Sequence, residues 1–252
     1  STSKISPIIH MIIDSSETFV ICANKVGTIY IYIIDNSEKD KWRLYQTIQN
    51  NDKEITCMDL NENLNIFITC DKGGYNNLYT FPNCKFFNSY KLNESIFSSV
   101  NSNNTTINNS SISGSNINMN VPVQLIVDYV IISNTPLPCI ILYIKYKKCL
   151  CVFSINFHFL SATKINYDIC PNGIKKYTDC FYKDYLFIYN SNENIIEIYN
   201  IIDLQPIIKT EKIKAEYIDL LFTKDMENAL ILVKQNDKDK EENGKEKPDK
   251  RE

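Results

Sequence analysis

The chain of 252 residues has little glycine (six residues), a single tryptophan and only two histidines. Those histidines, His10 and His158, stand far apart, and neither His-x-x-x-His nor Cys-x-x-Cys spacing occurs near them, so no metal site is expected. There is no Gly-x-x-x-x-Gly-Lys-Ser/Thr loop, Gly-x-Gly-x-x-Gly turn, Gly-x-Ser-x-Gly elbow or His-Glu-x-x-His helix. Phosphate cradles, serine-hydrolase elbows and zinc-protease helices are thereby excluded, and neither catalytic residues nor a cofactor is expected. Apolar stretches such as Ile126–Ile132 and Cys139–Ile144 are interrupted well before the roughly 18 residues a membrane-spanning helix needs, and no signal peptide precedes them. Charge of one sign is also missing. The net charge is −3 with a pI near 5.6, and no basic cluster with interleaved aromatics is visible in the sequence, so nucleic acid is not an expected partner.

What is present is apolar, and it is periodic. The chain is 44% hydrophobic with a mean hydropathy of −0.24, which suits a globular protein able to bury a sizeable core. Four apolar runs, Thr28–Ile34, Leu78–Phe81, Cys149–Ile155 and Ile195–Ile202, contain the aromatics Tyr32, Tyr79, Phe153 and Tyr199. Tyr32 and Tyr79 are 47 residues apart, and Phe153 and Tyr199 are 46 apart. The middle gap of 74 falls to 46 when the 28 residues Asn93–Asn120 are set aside. A repeat of about 40–50 residues built from several short strands is the mark of WD40-type or kelch-type propellers, whose units cannot bury their apolar faces alone. The expected fold is all-β: a WD40-type β-propeller of four blades plus part of a fifth. The start at Ser1 suggests a fragment of a larger propeller.

In the first blade strands are predicted near Ile8–Ile13, Phe19–Ala23, Thr28–Ile34 and Trp42–Gln49, with a turn at Asn24-Lys25-Val26-Gly27. An offset of 47 carries these onto the second blade, placing Ile8 on Ile55, Ile21 on Ile68, Asn24-Lys25 on Asp71-Lys72 and Gly27 on Gly74. An offset of 46 relates the third blade to the fourth, with Ile140 on Leu186 and Val152 on Ile198. Near-continuous apolar runs suit sheets packed on both faces. A fifth unit begins at Tyr217–Phe222 and Ala229–Val233, after which 14 of the 19 residues Lys234–Glu252 are charged. The domain reading is therefore blades over 1–233, with a disordered insertion at 93–120 in which 17 of 28 residues are Asn or Ser, and a charged disordered tail or insertion at 234–252.

Most residues that invite a functional reading have a plainer one. Ordinary WD40 blades pin themselves through Gly-His and Trp-Asp pairs. Here Tyr32, Tyr79, Phe153 and Tyr199 stand in place of the tryptophan, and Ile33, Thr80, Ser154 and Asn200 in place of the aspartate. Cohesion should then come from buried rings. The nine cysteines fall mostly in apolar runs, as with Cys22, Cys57, Cys139, Cys149, Cys151 and Cys180, and read as buried thiols of a reducing cytosol. Cys149 and Cys151, two apart on a strand, point to one face. Asp71-Lys72-Gly73-Gly74 reads as a turn, and Asp14, Asp59 and Asp219 as matching blade positions. The Asn-x-Ser/Thr triplets at Asn93, Asn103, Asn104, Asn108 and Asn109 are not expected to be glycosylated in a cytosolic protein. Trp42-Arg43-Leu44-Tyr45 opens an outer strand with the residue types of an interface hot spot.

Three segments carry a family resemblance. They are Ile55–Leu60 with Asn65–Cys70, Asn134–Tyr143 with Val152–Asn156, and Ile218–Glu227. In the middle one a Pro-containing stretch leads into an apolar strand, a basic hairpin and Ser154-Ile155-Asn156, with Phe157 where glycine is usual. These segments resemble the WD40-like propeller at the C-terminus of BEACH-domain (neurobeachin-like) proteins. The resemblance implies a non-enzymatic, cytoplasmic, peripherally membrane-associated scaffold in vesicle trafficking. It further implies that protein partners come from the trafficking machinery and that membrane association is indirect. The alternatives are a propeller of a coat or ciliary-transport assembly, or a propeller hydrolase with acidic or metal-binding residues on its axis.

Overall fold

The structure, a computed structural model, describes residues 6–35, 41–49, 53–94, 125–135, 137–170, 172–178, 183–222 and 229–234. All but two residues of the 93–120 insertion, and all of the tail except Lys234, lie outside the described residues. The chain divides into two compact units, one of residues 1–166 with 202–204 and one of residues 167–201 with 205–252.

The first unit holds three four-stranded antiparallel sheets. In chain order their strands are β1 (Ile8–Ile13), β2 (Phe19–Asn24), β3 (Thr28–Asp35) and β4 (Lys41–Gln49); β5 (Ile55–Asn61), β6 (Ile66–Asp71), β7 (Tyr75–Thr80) and β8 (Phe86–Lys91); and β9 (Tyr129–Ser133), β10 (Cys139–Ile144), β11 (Cys149–Ser154) and β12 (Phe159–Lys164). The second unit holds a fourth such sheet, β13 (Ile174–Thr178), β14 (Asp184–Asn190), β15 (Ile195–Asn200) and β16 (Pro206–Lys209), and a two-stranded sheet, β17 (Glu216–Phe222) with β18 (Ala229–Lys234). Every sheet is a meander, each strand pairing with its chain neighbours. This is the all-β blade architecture expected from the period, four blades and the first two strands of a fifth.

Register explains what the repeated aromatic does. In each four-stranded sheet the ladder between third and fourth strands slips by one residue immediately before it, between Ile31 and Tyr32, Leu78 and Tyr79, Val152 and Phe153, and Ile198 and Tyr199. The aromatic marks a β-bulge, which bends the strand and raises its local twist. Three of the four rings are buried, Tyr79, Phe153 and Tyr199, whereas Tyr32 is half-buried beside Trp42, ring centroids 6.0 Å apart. In blades two and three the ring meets an outer-strand phenylalanine edge to face, Tyr79 with Phe86 and Phe153 with Phe159. A second slip falls in the first strand of blades one and two, at Ile8/His10 and Ile55/Cys57, and recurs at Tyr217/Asp219. That shared irregularity identifies β17–β18 as the opening of a fifth blade.

The turns repeat too. Between second and third strands the last turn residue is left-handed in every blade, at Gly27, Gly74, Lys148 and Asn194, with φ of 86°, 79°, 47° and 60°. Only glycine adopts such angles freely, so Lys148 and Asn194 carry a backbone cost of about 1 kcal/mol each. Asn24 Oδ1 accepts the Val26 and Thr28 amides, Asp71 Oδ1 that of Tyr75, and Asn190 Oδ1 those of Asn192 and Glu193. Between third and fourth strands the left-handed residue is Cys84, Phe157 or Leu204. Phe157, at φ 60°, thus occupies a conformation that glycine adopts most freely, and its buried ring stacks on Tyr90 with centroids 5.4 Å apart.

Cohesion within the first unit runs between adjacent sheets. Ile21, Ile29 and Ile31 of blade one share a buried cluster with Ile55, Phe67 and Tyr79 of blade two. Ile68, Leu78 and Cys70 of blade two share another with Ile132, Leu142 and Phe153 of blade three. Side chains on β5 add polar stitches. Thr56 Oγ1 donates to the Val127 carbonyl at 2.6 Å, Asn61 Nδ2 to the Ile132 carbonyl at 3.0 Å, and Asp59 accepts the Ile132 amide at 2.6 Å. In the second unit Tyr189 stacks on Tyr217 at 4.1 Å, and Tyr177, Phe187 and Phe222 close a three-ring cluster.

Candidate interaction surfaces

The three aspartates do not share a blade position. Asp14 follows β1 and matches Asn61: Asp14 Oδ1 accepts the Thr18 and Phe19 amides, and Asn61 Oδ1 the Leu64 amide, each closing the turn after its first strand. Asp59 sits two residues earlier and pairs with Ile68, while Asp219 follows the bulge, where blade one has His10 and blade two Cys57. The 47-residue offset already places Asp14 on Asn61 and His10 on Cys57, so Asp59 and Asp219 fall at other blade positions. Asp219 is bound to Lys175 at 3.1 Å. These carboxylates are engaged in turns, ladders and an ion pair.

The other singled-out residues resolve similarly. His10 Nε2 lies 3.1 Å from the Ile55 carbonyl, and burial pulls its pKa down against the opposing effects of that bond and of Glu54. His158 lies in the turn before β12 of another blade. Among the described residues no three His, Cys, Asp or Glu side chains gather to hold a metal, and no helix is long and apolar enough to cross a membrane. Seven of the described cysteines are buried thiols, and Cys170 is half-buried; Cys180 lies outside the described residues. Cys149 and Cys151 do face one side, sulfurs 3.9 Å apart. That contact lowers the pKa of Cys149 and, together with burial, raises that of Cys151.

A buried carboxylate in the second unit has no precedent in the sequence reading. Glu197 on β15 is 4% exposed. Its Oε2 accepts hydroxyl hydrogen bonds from Tyr167 and Tyr199, both at 2.6 Å, and its Oε1 accepts Asn190 Nδ2 at 3.3 Å and pairs with Lys209 Nζ at 2.9 Å. Burial alone would raise its pKa, yet these four donors outweigh burial and hold the carboxyl at about 2. Burial, followed by the hydrogen bond to Glu197, pushes both tyrosines well above their ordinary range. The four donors converge on the carboxylate and pin β15 to its surroundings. Tyr199 alone was visible from the repeat; Tyr167 lies in a connecting loop with no periodic signal.

Two kinds of surface remain open. Outer strands display large apolar side chains, among them Trp42, Leu44 and Tyr45 on β4 and Phe86 and Phe87 on β8. A groove of about 570 Å³ opens where the Leu64–Ile66 and Thr80–Asn83 segments of blade two meet Ile155 of blade three, with Phe87 on its wall.

No family model matches the chain, and no curated protein matches it. Among solved structures, BBS1N, crystallised in complex with ARL6DN and soaked with mercury, is similar over 89% of this chain, with a TM-score of 0.58 at 8% identity. The match covers 60% of the BBS1N chain. At that identity the likeness bears on fold alone, and it makes the fold that of a β-propeller.

Proposed function

We propose that the chain is part of a non-enzymatic propeller scaffold that docks other proteins. The observation that carries this reading is the division of labour among its side chains. The carboxylates singled out in the sequence, and Glu197, are committed to turns, ladders and ion pairs, whereas aromatic and aliphatic side chains stand exposed on the outer strands and around the groove. Exposed apolar patches of that kind are typical of protein-docking surfaces. The hydrolase alternative needs convergent acidic or histidine groups, and the described ones are dispersed.

The more specific reading is a BEACH-type protein of membrane traffic, cytoplasmic and peripherally attached to membranes through other domains. Its support is the Pro-containing approach to β10, the basic hairpin and the Ser154-Ile155-Asn156 turn. Phe157, where that family has glycine, departs from its pattern. A propeller of a ciliary-transport or coat assembly is the second reading, favoured by the likeness to BBS1N, itself captured with a protein partner. Affinity purification of the full-length protein followed by mass spectrometry separates these readings. Trafficking components support the first and ciliary or coat subunits the second; nuclear or RNA-processing complexes overturn both. Turnover of a small substrate abolished by one acidic-residue change overturns the scaffold reading.

A further inference from the structure

The fold of the first unit sorts charge that the sequence scatters. The turns between second and third strands carry Lys25 in blade one, Lys72 in blade two and Lys145, Lys147 and Lys148 in blade three. The same end of each sheet receives the close of the fourth strand, because Lys91 pairs with Tyr75 and Lys164 with Cys149, both at the start of third strands. Backbone bonds fix this convergence: the Leu92 amide donates to Gly74, that of Ile165 to Lys148 and that of Lys72 to Glu54. With Lys53, whose side chain lies against Gly73, eight lysines share one end of the unit.

Among the described residues four acidic ones lie with them. Asp71 is buried in its turn, Asp128 accepts the Lys145 amide, Glu54 pairs with Lys72 at 2.9 Å and Glu94 with Lys147 at 3.1 Å. Lys72 is the main cause holding the Glu54 carboxyl low, and Lys25 of the neighbouring blade adds to it. The ion pair of Glu94 with Lys147 links the turn faces of blades two and three. In the middle of the last turn stands Tyr146, 70% exposed between two lysines.

We propose that this lysine-rich turn face docks an acidic, extended segment of a partner protein, with Tyr146 as its aromatic contact. The inference rests on the docking reading above and names the chemistry of one partner. Net positive charge attracts and steers such a segment. The carboxylates set among the lysines favour a segment with spaced acidic residues over the uniform negative sheet of a bilayer or the unbroken phosphates of a nucleic acid, both of which would meet Glu54 and Glu94 as repulsion.

The test is fluorescence anisotropy of the whole chain with a labelled twelve-residue peptide of alternating Glu and Leu, at 50 mM and 300 mM salt. We expect binding that weakens at least tenfold at high salt and at least tenfold in Lys145→Glu/Lys148→Glu, several-fold in Tyr146→Ala, and less than twofold in Lys85→Glu at the opposite end. Thermal melts confirm that each variant is folded. Three results would overturn the proposal: tighter binding to vesicles containing 30% phosphatidylserine, tighter binding to single-stranded DNA, or peptide binding equally weakened by Lys85→Glu. Absence of peptide binding at millimolar concentration overturns it as well. Each of these leaves the scaffold reading standing, which fails only if purification of the full-length protein recovers no partner proteins.

Discussion

Strands β11 and β15 are the third strands of neighbouring repeats and 46 residues apart in register, yet they solve the same position by opposite chemistry. Cys149, Cys151 and Phe153 on β11 correspond to Ile195, Glu197 and Tyr199 on β15. In blade three the position two before the bulge aromatic is a thiol, 0% exposed, with sulfur and apolar neighbours. In blade four it is an ionised carboxylate with four donors. A blade interior therefore accepts either a dry or a charged filling, provided that every buried polar atom of the filling is answered.

The sharpest way to break the comparison is to exchange the fillings. Cys151→Glu places a carboxylate in the apolar cluster of Ile68, Leu142 and Phe153 without the two tyrosine hydroxyls and the lysine that meet Glu197, and should cost more than about 5 kcal/mol, seen as loss of soluble folded protein. Glu197→Leu removes the acceptor and leaves two buried hydroxyls unmatched, so about 3–5 kcal/mol should be lost in a urea titration. If it proves neutral, the carboxylate is not a pin. Among the bulge aromatics, Phe153→Ala should cost about 4 kcal/mol and the half-buried Tyr32→Ala about 1 kcal/mol, an ordering that equal losses would contradict.

Acid distinguishes the two blades further. The folded pKa of Glu197, about 2, lies below the ordinary value for glutamate of about 4.3. Its contribution is therefore complete above about pH 4.3 and disappears as pH falls toward 2, roughly 3 kcal/mol in all. Unfolding midpoints of the wild type and Glu197→Gln, followed from pH 5 to 2.5, should converge as acid is added. The smallest effect concerns backbone. At Phe157 both Gly and Ala forfeit the ring stacked on Tyr90, but only Gly relieves the left-handed strain, so Phe157→Gly should be more stable than Phe157→Ala by about 1 kcal/mol.

The strands and turns of this fold were legible because they repeat. Ile8–Ile13 and Thr28–Ile34 coincide with β1 and β3 to within a residue, and the offsets of 46 and 47 match the observed pairing of Val20, Phe67, Ile140 and Leu186 with the four aromatics. The bulges were not legible, since the extra residue each adds to a fourth strand, such as Tyr45 on β4 or Phe87 on β8, carries no sequence signal of its own. The three aspartates were misaligned because Asp14 and Asp59 are 45 residues apart, short of the 47-residue offset that places Asp14 on Asn61. Nor could the Glu197 site be read, since Tyr167 is 30 residues away in a loop and Asn190 resembles any other turn asparagine. Of the lysine face only the basic hairpin with Lys145, Lys147 and Lys148 was visible, because the other five lysines are separated along the chain and join it only through the meander.

The recurring bulge has a bearing on how the protein behaves in crowded solution. Each outer strand, from Trp42 on β4 to Ile207 on β16, shows apolar groups along an edge whose outward amides and carbonyls could receive a strand from another molecule. Such stacking needs a straight, flat template. The kink before Tyr32, Tyr79, Phe153 and Tyr199 coils that border in all four sheets, so a foreign strand loses its alignment after a few residues. Bulges at these positions are expected to disfavour edge-to-edge stacking into fibres along the apolar outer strands.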